Sequence, residues 1–229
     1  MRKAAGFGAH PRAVNNYISI ARNLMRSGKT TEAETFLRST PHLEAMRGEG
    51  WAGDDRYGGF FLLSQLSEIL LAEGRAAEAL PLLNRIRPPA DADQTDTANF
   101  EALEGETLFR LGRTREAMHV LSSALAAFLV DDDFPQAPDR ARLQAVTGLC
   151  ALALGDRQAA AAHAAQAQAA FEHQPEVSGW YKAPYLELAD ALKRRPPRTS
   201  ALPQRDEIRS TSKTSVAFGG ITPPAPRAP

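Results

Sequence analysis

One short pattern occurs four times in this chain: a glycine, an alanine five residues later, and then an apolar run. The four pairs are Gly28 and Ala33, Gly74 and Ala79, Gly112 and Ala117, and Gly155 and Ala160. Successive glycines lie 46, 38 and 43 residues apart. Self-similarity at a period of a few tens of residues is typical of a solenoid, in which each unit buries its apolar face against its neighbours. The pattern therefore predicts stacked copies of one small unit.

The second copy indicates what that unit is. Apolar residues recur at steps of three and four both before Gly74, as at Leu66 and Ile69, and after it, as at Leu80 and Leu83, which is typical of helices. Glycine at a helix end can take a positive φ without a Cβ clash, so one helix can stop and the next can start within a few residues. The alanine five residues later lets the two helices approach closely. Each copy is predicted to be a helical hairpin.

These features resemble the tetratricopeptide repeat (TPR) over roughly residues 14 to 170. The small residue seven places before each glycine is Ala21, Ser67, Gly105 and Gly148, the large one four places before is Leu24, Leu70, Leu108 and Ala151, and the one nine places after is Leu37, Leu83, Leu121 and Ala164. Glu101 and Gln144 stand where the family has a large residue, which leaves the register of the last two units open. The resemblance implies an all-α, right-handed α-solenoid of about four hairpins.

Composition limits what such a solenoid does. The 229 residues include 27 basic and 27 acidic ones, and this neutrality argues against a nucleic-acid or membrane surface, which usually shows a basic excess. A single cysteine, Cys150, excludes an internal disulfide framework and favours a reducing, cytoplasmic location. We find no apolar segment typical of a signal peptide or of a transmembrane helix. The alanine-rich style is typical of a GC-rich bacterial genome.

The chain divides into three predicted parts. Residues 1–10 are expected to be a flexible N-terminus, residues 11–195 a TPR-like solenoid that begins at Pro11, and residues 196–229 a disordered tail. The tail has seven prolines and eight serines or threonines among 34 residues, and few large apolar residues that could offset its ordering entropy. A capping helix is expected over residues 183–193, with Pro184 near its start, covering the open end of the solenoid.

Local signals add four expectations about the connections. The glycine-rich segment 47–59 predicts a long loop between the first two units. Asp96 or Thr97 is expected to cap the first helix of unit three, and Asp139 the first helix of unit four. The acidic run 131–133 does not match a calcium loop, because that loop needs alternating oxygen ligands and a central glycine.

Catalytic patterns are not found. The histidines form no HExxH motif, and none lies beside a second ligand at metal spacing, so we expect neither a metal nor a cofactor. Cys150 and His163 fall within predicted helices of unit four and are better explained as packing or surface residues than as a nucleophile and its base. The Gly28 segment ends like a phosphate-binding loop but lacks the preceding residues, and it is predicted to be a hairpin turn.

In the TPR family the first helix of each unit forms the concave face, and the resemblance therefore implies the groove residues of this chain. They are Ile18, Arg22, Met25, Arg26, Phe61, Ser64, Glu68, Leu71, Asn99, Glu106, Phe109, Arg110, Leu149 and Leu152. The same alignment puts Asn15, Ala102, Arg142 and Ala145 on this face. The family's carboxylate clamp is not expected, because Ile18 and Arg22 replace its lysine and asparagine.

The function expected from this groove is non-enzymatic: a cytoplasmic adaptor or chaperone-like scaffold that binds a short helix or an extended segment of another protein. The alternative is an assembly subunit that engages a neighbour through an apolar island in its tail, around Val216, Phe218 and Ile221. A ligand-sensing regulator or an enzyme is the third option, and it would require a polar pocket with a strongly perturbed titratable group. We expect no nucleic-acid partner and no membrane insertion.

Overall fold

The computed structural model describes residues 11–45, 56–88, 92–130 and 137–194. All regular structure in these ranges is helical. The ten helices are α1 Pro11–Arg26, α2 Thr30–Arg38, α3 Pro41–Ala45, α4 Arg56–Ala72, α5 Ala76–Arg85, α6 Gln94–Arg110, α7 Thr114–Val130, α8 Pro138–Ala153, α9 Arg157–Glu172 and α10 Gly179–Lys193. Helices α1 and α2, α4 and α5, α6 and α7, and α8 and α9 pack as hairpins, and each first helix also contacts the next one. The predicted solenoid of four hairpins is confirmed.

The four repeated glycines form the hairpin turns, as predicted. Gly28, Gly74, Gly112 and Gly155 have φ values of 78°, 74°, 77° and 91°. In each turn the N–H of the following residue donates to the carbonyl five positions back, as Arg75 does to Leu70 at 2.8 Å. This 6→1 bond closes the helix end, and it requires a left-handed residue at the glycine position. The same local geometry therefore ends each first helix.

Small residues allow the two helices of each hairpin to approach closely. The alanines five residues after the glycines are all fully buried. In the first helices α6 and α8, glycines face these second helices. A Cβ added to Gly105 would lie 2.6 Å from the Leu121 side chain of α7. A Cβ added to Gly148 would lie 3.1 Å from the Cβ of His163 on α9 and would also meet the Leu188 side chain of α10. Both glycines therefore occupy the family's small-residue position, as the alignment of units three and four assumed.

The core follows the stack as a series of apolar clusters. One joins the first two hairpins and includes Leu37, Leu70 and Leu83, and a second lies in the third hairpin and extends to α8. Two further clusters connect α8 and α9 to α10, where the fully buried Leu188 packs. Each cluster is shared between neighbouring helices, so each unit is stabilised by its neighbours.

Several predicted helix ends are wrong by a few residues. Helix α4 begins at Arg56, so Gly58 and Gly59 lie inside a helix, where both are buried. Asp93 caps α6 by accepting the Asp96 N–H at 2.7 Å, in place of the predicted caps. Asp139 is not a cap, because it follows Pro138 inside the first turn of α8. An unpredicted short helix, α3, follows α2.

Helix α10 is longer than the predicted capping helix. It begins at Gly179, with the Ser178 hydroxyl as its cap, and Pro184 lies inside it. A proline beyond the first turn has no N–H for the carbonyl four residues back. Here that carbonyl belongs to Trp180, and it accepts from the Arg142 guanidinium of α8. The expected N-terminal segment, the acidic run 131–133 and the tail with Val216, Phe218 and Ile221 lie outside the described residues. None of the described helices is long and apolar enough to cross a membrane.

Candidate binding cleft on the concave face

A cleft of about 460 Å³ lies between the first helices of the four hairpins and the start of α10. Its lining combines aromatic, amide and charged side chains from α1, α4, α6, α8 and α10. The lining residues are Asn15, Ile18, Ser19, Arg22, Phe60, Phe61, Ser64, Gln65, Glu68, Asp96, Asn99, Phe100, Ala102, Leu103, Glu106, Asp139, Arg142, Leu143, Val146, Trp180 and Tyr181. A volume of this size is typical of a ligand pocket.

The repeat register explains why these side chains meet. Arg22, Glu68 and Glu106 each lie six residues before a turn glycine, and Asn15 and Asn99 each lie thirteen before one. Helical steps of three and four keep such positions on one face. Because each hairpin stacks in the same orientation, equivalent positions of successive first helices line the same surface.

Helix α10 forms the fifth wall of the cleft, and it does more than cover the end of the stack. The Trp180 indole Nε1 donates to Glu68 Oε1 on α4 at 2.8 Å. Arg26 Nη2 on α1 donates to the Tyr181 hydroxyl at 2.8 Å, with the guanidinium 5.5 Å from the ring centre. These contacts join residues 112 and 155 positions apart in the chain. Helix α10 thus connects the last hairpin to the first two.

A buried ion pair lies between α6 and α8 in the cleft wall. Arg142 Nη2 donates to both Glu106 oxygens at 2.7 and 2.8 Å, and the two side chains are only 10% and 6% exposed. The Arg142 guanidinium also stacks on the Trp180 ring, 3.4 Å from its centre, and donates to the Trp180 carbonyl. The planar guanidinium suits this combination of bidentate pairing and stacking. Arg142 therefore fixes the start of α10 against α6 and α8.

A second polar network lies on α1 and α4. Arg22 Nε donates to Gln65 Oε1 at 3.2 Å, and Gln65 Nε2 donates to Glu68 Oε2 at 2.9 Å. Burial raises the pKa of the Glu68 carboxyl, and the nearby Asp139 charge adds to this shift, while Arg22, Arg142 and the Trp180 hydrogen bond oppose it. Glu68 is therefore a desolvated acid held between two neutral donors.

Two aspartates line the cleft, each in the first turn of a helix. Asp139 keeps a solvent-exposed surface, yet the surrounding cleft walls remove enough water to raise its pKa, against the effect of Arg22, Arg26 and Arg142. Burial also raises the pKa of Asp96, and the neighbouring Asp93 adds to the shift. Within the described part of the chain, neither aspartate has an ion-pair partner.

The structure brings half of the predicted groove residues into the cleft. Those that line it are Ile18, Arg22, Phe61, Ser64, Glu68, Asn99 and Glu106. Met25, Leu71 and Leu149 are instead buried in the core, at 3%, 8% and 5% exposure, and Phe109 and Leu152 pack against core clusters. Arg26 contacts Tyr181, and Arg110 pairs with Glu187 at 2.8 Å.

A simple rule separates the two groups. Met25, Leu71, Phe109 and Leu152 all lie three residues before a turn glycine, and this position faces the neighbouring helices. Leu149 lies six before its glycine, in the register of Arg22, but it belongs to the cluster in which Leu188 of α10 packs. Among the predicted groove residues, those that line the cleft lie six, ten or thirteen before a turn glycine. Residues nine before it, which were not predicted, line the cleft as well: Ser19, Gln65, Leu103 and Val146.

Helix α10 and the helix starts contribute lining residues that the sequence did not predict. Trp180, Tyr181, Asp139 and Phe100 line the cleft but were not among the predicted groove residues. The aromatic pair two residues after the Ser178 cap is the local signal for α10. No local signal indicates that α10 contacts α1 and α4. Arg142 had been placed on the concave face but not given a role.

Outside the cleft, the potentially reactive side chains of Cys150 and His163 are packed between helices. Cys150 is fully buried, and burial raises the pKa of its thiol to about 12. The His163 Nδ1 lies 2.6 Å from Gln144 Oε1, and burial lowers the pKa of this imidazole. Across the described residues, no group of three or more histidine, cysteine, aspartate or glutamate side chains is arranged to hold a metal ion.

Comparison with known proteins supports the fold. No family model matches the chain, and no curated protein does. Among solved structures, a variant of a putative kinesin light chain from Podosopora anserina with nearly identical TPR-like repeats is 19% identical, with a TM-score of 0.55 over 80% of this chain and 87% of that one. A second structure of that protein is 18% identical, with a TM-score of 0.52 over 81% and 88%. The described hairpins thus form a TPR-like α-solenoid.

Proposed function

We propose that this protein is a non-enzymatic binding module that holds a short segment of a partner protein in the concave cleft. The observation that carries the proposal is the cleft itself, in which side chains from four equivalent helices and from α10 converge on one cavity. Binding sites combine apolar surface with a few placed polar groups, and this lining provides both. An adaptor or chaperone-like scaffold binds its partner on such a surface and catalyses no reaction there.

The dimensions favour an extended segment over a helix. An α-helix with its side chains is about 10–12 Å across, so a bound helix would need a wide open groove. The contacts of Trp180 with Glu68 and of Tyr181 with Arg26 instead hold α10 against the concave side. The remaining volume of about 460 Å³ accommodates a few side chains. An extended segment places alternate side chains on one side, so it can fill the cleft without displacing α10.

The composition of the walls suits peptide recognition. Phe61, Trp180 and Tyr181 are the aromatic side chains of this lining, and the first two are half-buried. Aromatic side chains often anchor protein interfaces. Asn15 of α1 and Asn99 of α6 are exposed in the lining, and their amides can donate to and accept from a peptide backbone. The buried Arg142 pair below them keeps this surface in one arrangement.

Selection from a random peptide display library against the purified full chain tests the proposal. Peptides that are enriched are then titrated against Asn99→Trp, which fills the cleft from an exposed position, and against Asn23→Trp, which makes the same change on an exposed position of α1 outside the cleft lining. We expect Asn99→Trp to weaken binding by about tenfold or more, since one lost anchor costs about 1.4 kcal/mol or more. Equal affinities for both variants would place the site elsewhere.

The tail gives the alternative function its own test. Deletion of residues 196–229 removes Val216, Phe218 and Ile221, through which an assembly subunit would engage a neighbour. The cleft is formed by residues that precede this deletion. We therefore expect the shortened chain to bind the selected peptides with unchanged affinity, whereas loss of binding would favour the tail as the binding element.

A further inference from the structure

Carboxylates outnumber cations in the cleft. Four acids, Glu68, Asp96, Glu106 and Asp139, and two arginines, Arg22 and Arg142, line it. The bidentate pair between Glu106 and Arg142 neutralises one of each. Of the other three carboxylates, Glu68 and Asp139 lie near Arg22, and Asp139 also lies near Arg26. The described side chains therefore keep an excess of one negative charge. A bound segment of complementary charge is therefore cationic.

Asp139 and Asp96 differ in how their charge is compensated. Arg22 and Arg26 of α1, Arg142 of α8, Glu68 of α4 and the Tyr181 hydroxyl of α10 surround Asp139. Among the described residues, Asp96 has no such arginines, and the charged neighbour that influences it is another acid, Asp93. In this part of the chain the uncompensated negative charge therefore lies at Asp96.

Apolar surface lies next to this uncompensated carboxylate. Phe100 follows Asp96 by one helical turn on α6, so both side chains lie on the same face of the helix. The Phe100 ring packs against Phe60 of α4 with 5.6 Å between the ring centres, and Leu103 and Ala102 continue the apolar lining. Long basic side chains bury their aliphatic stems on such surface while the charged head reaches a polar group.

We propose that the occupant of the cleft is an extended partner segment that inserts a lysine or arginine side chain, with its stem along Ala102 and Leu103 and its charged head at Asp96. This inference rests on the proposed function and adds the chemical identity of the segment. The guanidinium groups of Arg22, Arg26 and Arg142 already compensate the charge of Asp139, so the basic side chain is not expected there. Asp96 is then a specificity-determining residue.

Defined peptides and the indole of Trp180 test the inference. Because the chain has two tryptophans, the Trp51→Phe variant leaves Trp180 as the only one, and its fluorescence reports on the cleft. The probes are acetylated, amidated pentapeptides of sequence Gly-Leu-Xaa-Leu-Gly, where Xaa is lysine, arginine, glutamate or norleucine. Norleucine keeps the stem of lysine and removes its charge. Asp96→Asn and Asp139→Asn are matched variants, since both change a first-turn aspartate of the cleft.

We expect the lysine and arginine peptides to bind about tenfold more tightly than the norleucine and glutamate peptides, with the preference weakening as salt is added. Asp96→Asn should abolish this preference, and Asp139→Asn should retain it. The inference is overturned by equal binding of norleucine, by a basic preference that survives Asp96→Asn, or by spermidine binding as well as the lysine peptide. If no pentapeptide binds but display-selected peptides still depend on Asn99, the inference fails while the proposed function stands. If the pentapeptides do not bind and the display-selected peptides do not depend on Asn99, both the inference and the proposed function are overturned.

Discussion

The buried pair between Arg142 and Glu106 offers the sharpest test of how the cleft is held together. Replacing Arg142 by methionine keeps most of the side-chain volume and leaves the Glu106 carboxylate in a wall where it is only 6% exposed. Breaking a buried pair by removing one partner costs about 3–5 kcal/mol. Arg110 lies 3.7 Å from the same carboxylate and offsets part of this loss, so we expect a loss of about 3 kcal/mol for Arg142→Met.

The reverse change should cost more. Glu106→Leu leaves a guanidinium that cannot lose its proton and whose remaining contacts are the Trp180 ring and carbonyl. The Glu68 and Asp139 carboxylates influence it only from beyond ion-pair distance. We therefore expect a loss near the upper end of the range, about 4–5 kcal/mol. The double variant removes both charges, and its loss should be smaller than the sum of the single losses by about 2 kcal/mol or more.

Urea unfolding followed by circular dichroism at 222 nm measures these losses. The slope of the unfolding free energy against urea should stay constant, since a changed slope would indicate loss of cooperativity between repeats. Lowering the pH should reduce the penalty of Arg142→Met relative to that of Glu106→Leu, because a stranded carboxylate can take up a proton and a stranded guanidinium cannot. Strictly additive losses, or single losses below about 1 kcal/mol, would refute the idea that this pair connects α6, α8 and α10.

Three further predictions concern single positions. Gly148→Ala should destabilise the chain by about 1–3 kcal/mol in the same urea assay, because its Cβ would meet Leu188 and the Ala160 carbonyl oxygen, whereas Gly179→Ala, with open space around it, should not. Asp139→Asn should stabilise the fold at neutral pH. Because folding raises the pKa of Asp139, its ionised carboxylate destabilises the folded state at pH values above that pKa. The stability gained by Asp139→Asn should therefore vanish as the pH falls through that pKa. A gain that grows on acidification would contradict this sign. Cys150 should react with a disulfide reagent at pH 8 about a hundredfold more slowly in the folded chain than in guanidinium chloride, because the thiol is buried and its pKa is raised to about 12; equal rates would contradict its burial.

The hairpins were predictable because their determinants are local. A positive φ at Gly74 and the contact of Ala79 with the facing helix depend on residues within one unit, and four copies of the same pattern reinforce the assignment. Boundaries were less predictable where several residues compete for one role. Asp93, Asp96 and Thr97 are all suitable caps within five positions, and only the structure selects Asp93.

The sequence predicted which helix face forms the cleft, but not which residues of that face line it. The alignment placed Arg22, Glu68 and Glu106 on one surface, since each has the same offset from a turn glycine. It did not separate Met25 and Leu71, which neighbouring helices bury, because burial depends on how far adjacent hairpins overlap.

The role of α10 could not be predicted, for a different physical reason. The contact between Trp180 and Glu68 joins residues 112 positions apart, and it depends on the position that α10 reaches after four stacked hairpins. Small rotations between units add up along a solenoid, so their sum is not contained in any single repeat. Helix α10 therefore completes the cleft through contacts that no local pattern encodes.

Cross-link mapping tests most directly the claim that the concave cleft is the binding site. A display-selected peptide carrying a photoreactive diazirine is irradiated with the full chain, and the modified residues are identified by mass spectrometry. We predict attachment on the cleft-facing positions of α1, α4, α6 and α8 and on the first turn of α10, near Ser19, Ser64, Asn99, Val146 and Trp180. Attachment concentrated on the second helices α2, α5, α7 and α9 would contradict the account.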